Sequence, residues 1–280
     1  MRLSPTAAFI NSRVQVLMRT DHSVIYTDKA EPNVVLKAET IWIDGKPYGP
    51  PSMAAQTSRD LCREHDIYIA LGGRHERITR CFGLVHDDHG NAIALKLERA
   101  PKGNLRHLIE ETPEVPSVRQ RVEMAASLAE SVAYLHSRGV IWGDLSTRNV
   151  LVFGVDDDIS LKICDFASSA LENVHPRFGI HTYEPGYCPA LPEGQVRTLP
   201  MMQRELYALG SAVYEITAWK FPYAGVSGDI WDIVESGTMP VIADDNVARD
   251  IITRCWNFEY DSAASVADDL AAIFGRLTKE

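Results

Sequence analysis

Ile141-Trp142-Gly143-Asp144-Leu145-Ser146-Thr147-Arg148-Asn149-Val150-Leu151, with Asp165-Phe166-Ala167 further on, is the text whose reading decides the fold. The first stretch runs into two short strand-forming segments, Val150-Phe153 and Leu161-Cys164, joined by the turn signal Gly154-Val155-Asp156-Asp157-Asp158, and the second stretch follows directly. Asp144, Asn149 and Asp165 are therefore placed on loops beside a two-strand ribbon. Asp and Asn commonly serve only as turn and cap residues, but this spacing offers a second use. Phosphoryl transfer requires one carboxylate to orient an attacking hydroxyl and accept its proton, and Asn and Asp oxygens to hold Mg²⁺ on the phosphates.

On the N-terminal side, Ser117 to about Arg138 reads as the longest helix. Val118, Val122, Ala125, Leu128, Val132 and Leu135 fall on one face, and Gly139 is placed to stop it. Before residue 98 the pattern is different. Val14-Met18, Val24-Tyr26, Val34-Ala38, Cys81-Val85 and Ala92-Leu97 read as strands and Thr57-Leu71 as a helix. Asp87-Asp88-His89-Gly90-Asn91 is a hairpin signal between the last two strands. A five-stranded sheet with one helix is predicted, and Gly45, Pro47, Gly49, Pro50 and Pro51 predict a surface loop within Ile41-Arg59. Further helices are expected at Arg204-Ala218, Asn246-Trp256 and Ser262-Leu277. The fold class is α+β: a small β-rich N-lobe (1–98), a hinge (99–104) and a larger helical C-lobe (105–280), together one domain.

Composition narrows the function classes. With 45% hydrophobic and 24% charged residues the chain is globular, and its net charge of −10 argues against nucleic acid or an anionic membrane as the main partner. No run of apolar residues is long enough to cross a bilayer, so no membrane insertion is expected. Cys62, Cys81, Cys164, Cys188 and Cys255 include no C-x-x-C pair and suggest neither a disulfide framework nor a zinc cluster. An intracellular setting, cytoplasmic or nuclear, is expected. His107, His136 and His175 read as surface or packing residues, and Asp268-Asp269 as a solvated helix face.

Taken together, these stretches resemble a eukaryotic protein kinase domain over nearly all of the chain. Val34-Val35-Leu36-Lys37 is similar to the family's third-strand motif, which implies that Lys37 contacts the α/β-phosphates of ATP, with Glu64 of Leu61-Cys62-Arg63-Glu64 as its ion-pair partner. Asp144 resembles the catalytic-loop Asp, Asn149 the second Mg²⁺ ligand and Asp165 the metal-binding Asp of Asp-Phe-Gly. Leu97-Glu98-Arg99-Ala100 resembles the hinge, which implies that the backbone of Glu98 and Ala100 binds adenine, with Leu97 as gatekeeper. Arg148 occupies the place of the tyrosine-kinase Arg and is the candidate to counter phosphate charge, since Ser146 replaces the Lys of Ser/Thr kinases. Glu205-Leu206-Tyr207-Ala208-Leu209-Gly210 is similar to the family's Asp-x-Trp-x-x-Gly helix, and Arg254-Cys255-Trp256 to its C-terminal Cys-Trp.

Several positions depart from the pattern. The first glycine is Gly45, so Arg19-Thr20-Asp21-His22-Ser23 is expected to turn between the first two strands without the glycines that let backbone N–H groups approach phosphates. Trp142-Gly143 replaces His-Arg, removing the cation that reads an activation-segment phosphate in the family. Activation independent of phosphorylation is expected, such that joint replacement of Ser168, Ser169, Thr182, Tyr183 and Tyr187 leaves basal activity intact. Ala167 replaces Gly, and Pro189-Ala190-Leu191-Pro192-Glu193 is the nearest text to Ala-Pro-Glu.

The resemblance implies a protein kinase that uses ATP and Mg²⁺ on a protein substrate, Ser/Thr being the larger class. A pseudokinase acting as a binding module for a signalling partner is the alternative motivated by the missing glycines, Gly143 and Ala167. A small-molecule phosphotransferase of aminoglycoside or choline kinase type is a third reading, because Gly143-Asp144-x4-Asn149 also fits that loop; the Glu205-Gly210 and Cys255-Trp256 stretches weigh against it.

Overall fold

Sequence periodicity changes from two to 3.6 near Ala100, and there the chain divides into two compact units, Met1–Ala100 and Pro101–Glu280. The structure, a computed structural model, describes residues 14–20, 23–39, 42–43, 46–47, 51–112, 114–155, 158–171 and 183–279.

In the N-terminal unit, strands β1 (Val14–Arg19), β2 (Val24–Asp28), β3 (Glu31–Ala38), β6 (Cys81–His86) and β7 (Ala92–Glu98) form an antiparallel sheet in the order β1-β2-β3-β7-β6. Alternation on β2 turns Val24, Tyr26 and Asp28 inward, and the first two pack with Leu36, Ala38 and Ala94. Helix α1 (Pro51–Ala70) lies along β7 and β6 and buries Leu61, Ile67 and Tyr68. It begins earlier than the Gly/Pro-rich text suggests, because Pro51 occupies the first helical position, where its missing N–H is harmless. The loop expected over 41–59 is further shortened by a small hairpin, β4 (Trp42–Ile43) with β5 (Lys46–Pro47).

The C-terminal unit is helical. Asn104 caps α2 (Leu105–Glu111), accepting from His107 N at 2.8 Å. Ser117 and Gln120 form a capping box on α3 (Val118–Ser137). The predicted apolar face of α3 is fully buried from Val122 to Leu135, whereas Val118 is 39% exposed and stands outside it. Helix α5 (Met201–Ala218) is buried along nearly its whole length. It touches α7 (Arg249–Trp256) at Gly210, where a Cβ would meet the Cys255 Cβ at 2.4 Å. Helix α8 (Ala263–Leu277) packs on α3 and is capped by Ser262. Two further short helices, α4 (Glu193–Val196) and α6 (Ile230–Glu235), unannounced by periodicity like α2, complete this unit's α-helices among the described residues. The start expected at Asn246 moves to Arg249, since Asn246 instead accepts from Ala248 N at 2.9 Å and donates to Thr217 Oγ1 at 3.1 Å. Asp269 is not purely solvated either: it accepts from Tyr260 OH at 2.6 Å and pairs with Arg254. Among the described residues no helix is long and apolar enough to cross a membrane.

Two small ribbons position the loops of interest. Strand β8 (Val140–Ile141) pairs with β11 (Ala170–Leu171), and β9 (Val150–Val155) with β10 (Asp158–Ile163). The loop after β8 and the loop before β11 therefore emerge side by side.

Candidate active site

Asp144 and Asn149 face each other across the loop between β8 and β9, which a 3-10 turn at Thr147–Asn149 closes. Asn149 Nδ2 donates to Asp144 O at 2.8 Å and to Asp144 Oδ2 at 3.0 Å. Both amide hydrogens are thereby used, and the amide oxygen is left to accept or to coordinate. Burial, then the nearby Asp165 carboxylate, push the Asp144 carboxyl up to about 6. Two carboxylates and an amide oxygen form a hard, all-oxygen donor set of the kind that suits Mg²⁺, and a dication would relieve the repulsion between the two acids. Among the described residues no group of three or more His, Cys, Asp and Glu forms a metal cage of its own. A dication bound beside these oxygens would have to complete its shell from water or phosphate.

The loop hangs from Glu205 of α5, which is fully buried. Its carboxylate accepts from Trp142 N at 3.1 Å and Gly143 N at 2.7 Å, and lies 2.7 Å from His136 Nε2 and 3.5 Å from Tyr183 OH. His136, read as a packing residue, thus helps hold the carboxylate that holds the loop. Gly143 has φ +79°, a left-handed turn that glycine adopts without steric cost.

Trp142, read above as a lost His, is fully buried and has its own work. Its Nε1–H is shared between Cys164 O at 3.1 Å and Asp165 O at 3.0 Å, and its ring lies 6.3 Å from that of Phe166. Asp165 itself has φ +59°, which a non-glycine residue keeps only where its surroundings insist. The indole clamp on its carbonyl supplies that constraint. Asn149 adds another: its own carbonyl accepts from Cys164 N at 2.9 Å.

In the N-terminal unit, Lys37 on β3 donates to both oxygens of Glu64 on α1, at 3.0 and 2.8 Å. Relative exposures are 3% and 1%, so the pair is desolvated and screening by salt is weak. Glu39 follows this strand near Asp60 and Glu64, and burial first, then Asp60, raise its carboxyl from 4.5 to about 7. The folded state therefore holds this proton more tightly than the unfolded chain, and the resulting penalty on folding is absent below pH 4.5 and complete above pH 7. Glu39→Gln is expected to stabilise the chain at pH 8 by about 1 kcal/mol after solvent screening and to do nothing at pH 4. Thermal melts at both pH values check this, and equal shifts at the two would refute it.

Leu97 is buried and pairs with Val35, and Glu98 N donates to Arg80 O at 2.9 Å. The turn expected at Arg19-Ser23 closes without glycine by Thr20 N donating to Ser23 O at 2.8 Å and Ser23 N to Thr20 Oγ1 at 2.9 Å; its Asp21 and His22 lie outside the described residues, as do His175 and Thr182.

Sequence reasoning missed Glu184, Arg106 and Glu215. Arg148, the expected phosphate countercharge, pairs with Glu184 at 3.1 Å and keeps a side chain 55% exposed. Of the five segment hydroxyls expected to be replaceable together, Ser169, Tyr183 and Tyr187 are buried and bonded, so joint replacement would act on the fold as well as on any phosphorylation. Ser169 Oγ donates to Trp142 O at 2.8 Å, Tyr187 OH to Glu215 Oε2 at 2.6 Å, and Tyr183 OH faces Glu205. Removing these donors costs stability whatever their phosphorylation state. Glu193, in the nearest text to Ala-Pro-Glu, forms a local i,i+4 pair with Arg197.

A family model for protein tyrosine and serine/threonine kinases matches residues 49–268. The chain is 26% identical over 198 residues to a probable receptor-like protein kinase of Arabidopsis thaliana, covering 66% of this chain and 56% of that protein. It is 26% identical over 200 residues to a probable LIM domain-containing serine/threonine-protein kinase of Dictyostelium discoideum, with 69% and 29% covered. Serine/threonine/tyrosine-protein kinase HT1 of Arabidopsis thaliana is 27% identical over 169 residues, with 57% and 41% covered. The chain thus spans at most 56% of the length of these relatives.

Proposed function

Because the chain belongs to the protein tyrosine and serine/threonine kinase family, we propose that it transfers the γ-phosphate of Mg-ATP to a hydroxyl of a protein, Ser or Thr by preference. The observation that carries this reading is the joining of Asp144, Asn149 and Asp165 on adjacent loops, held by Glu205 and Trp142. Relatives named as serine/threonine kinases support the acceptor class.

Bound Mg-ATP supplies the phosphoryl group and the ion that offsets its charge. Asn149 Oδ1 and the Asp165 carboxylate hold the ion. Lys37, fixed by Glu64, takes the α/β-phosphates, and the main chain of Glu98 and Ala100 takes adenine, with 99–104 as the hinge between lobes 1–98 and 105–280. Asp144 orients the acceptor hydroxyl and accepts its proton, and Arg148 counters phosphate charge. The cysteines, all free, fit a reducing compartment such as cytoplasm or nucleus.

A calorimetric titration with ATP, with and without Mg²⁺, tests nucleotide capture by a chain whose first strand turn lacks glycines. Metal-dependent binding that disappears in Lys37→Ala is the expected result. No binding at millimolar ATP overturns the proposal in favour of a pseudokinase scaffold.

A further inference from the structure

One side chain joins the segment after Asp165 to the loop that bears Asp144. Glu184 is 10% exposed, and its carboxylate accepts from Arg106 Nη2 at 2.8 Å, Arg106 Nη1 at 3.4 Å, Arg148 Nη2 at 3.1 Å and Ser146 Oγ. Its main-chain carbonyl accepts from Tyr187 N at 2.8 Å and Cys188 N at 3.1 Å, so the same residue nucleates the 3-10 turn Pro185–Tyr187. The turn lies close on Phe221, where a Cβ at Gly186 would meet Cζ at 2.7 Å.

Arg106 carries the contact inward. Its guanidinium lies 4.3 Å from the Phe221 ring centroid and also forks onto Glu215, which is fully buried and accepts from Thr147 Oγ1 at 2.8 Å and Tyr187 OH at 2.6 Å. From Arg148 through Glu184 and Arg106 to Glu215 the charges alternate and cancel, and loss of any single member leaves the run with a net charge. Arg148, at the outer end of that run, and Ser146, which also donates to Glu184, both lie in the loop between Asp144 and Asn149. Elsewhere in the family a phosphate on this segment recruits an arginine through charge-assisted hydrogen bonds. Gly143 offers no such arginine, and Glu184 brings a permanent anion into an enclosed arginine site instead.

We propose that Glu184 is a positioning residue of the transfer reaction, a built-in carboxylate that seats residues 183–188 on Ser146 and Arg148 and sets the acceptor side of Asp144 without phosphorylation. This role rests on the phosphotransfer reading of Asp144.

The test uses the full chain with dephosphorylated casein as acceptor, comparing wild type, Glu184→Gln and Glu184→Asp. In Glu184→Gln, kcat falls by about 10²-fold, as expected when reacting groups lose alignment by an ångström or so, while Mg-ATP affinity by calorimetry stays within about twofold. Hydrogen exchange at the Tyr187 and Cys188 amides quickens, Glu184→Asp restores at least about a third of the lost rate on a logarithmic scale, and phosphatase treatment leaves the wild-type rate within about twofold. Glu184→Gln turnover equal to wild type, or loss of wild-type turnover on phosphatase treatment, overturns the role. Unchanged exchange at the two amides does the same without an activity assay. A wild type that transfers no phosphate at all defeats the underlying phosphotransfer reading, an outcome distinct from equal, measurable rates in the two chains.

Discussion

Replacing Asp144 by Asn is expected to reduce phosphoryl transfer by about 10²- to 10⁴-fold, the range associated with loss of a positioned general base, with Mg-ATP affinity and melting temperature nearly unchanged. The local geometry explains why chemistry and structure separate here. One of the two bonds from Asn149 goes to the Asp144 main chain and is untouched, and the amide of Asn offers an oxygen to the other. The loop is held through Trp142 and Gly143 by Glu205, not through Asp144. What disappears is the ability to take a proton. Single-turnover transfer measured beside ATP titration checks this, and a variant that turns over at the wild-type rate removes Asp144 from the chemistry.

Lys37→Met is expected to act in the opposite manner, on the fold as well as on the reaction. It leaves Glu64, 1% exposed, as a buried carboxylate without the ammonium it binds through both oxygens, a change that costs about 3–5 kcal/mol. Much of that cost comes from desolvated charge and not from lost packing, so Lys37→Met with Glu64→Leu recovers most of the stability. The double variant remains unable to counter the α/β-phosphates and stays inactive. Urea unfolding of the two variants decides the point. Equal destabilisation in single and double variants would show that the pair contributes packing and not charge balance.

The meeting of Asp144, Asn149 and Asp165 was legible because these residues are close in sequence and lie around one ribbon whose strands and turn carry local signals. Lys37 and Glu64 were legible through the order of motifs, despite the hairpin and helix start that lie between them. Pro51 misled, since a proline that ends a pattern and one that opens a helix look alike until the helix is seen. Trp142 was read as a loss because sequence shows the residue type absent, not the bond the new one makes to the carbonyl of Asp165. The Arg106–Glu184–Glu215 run was beyond reach. Arg106 and Glu215 sit on helices where charged residues usually face solvent, Glu184 sits in a loop, and the separations of 78 and 109 positions leave no local periodicity to link them.

The burial of Tyr187 gives the molecule a record of its own openings. Its ring is fully enclosed and its hydroxyl proton is committed to Glu215, with burial and that carboxylate holding the phenol well above its usual ionisation range. Neither another kinase nor an oxidant reaches it while the segment stays seated. A phosphate or nitro group detected on Tyr187 in protein taken from cells therefore dates from an interval when that seat was empty, and its stoichiometry is a count of molecules that came apart there, not of molecules switched on.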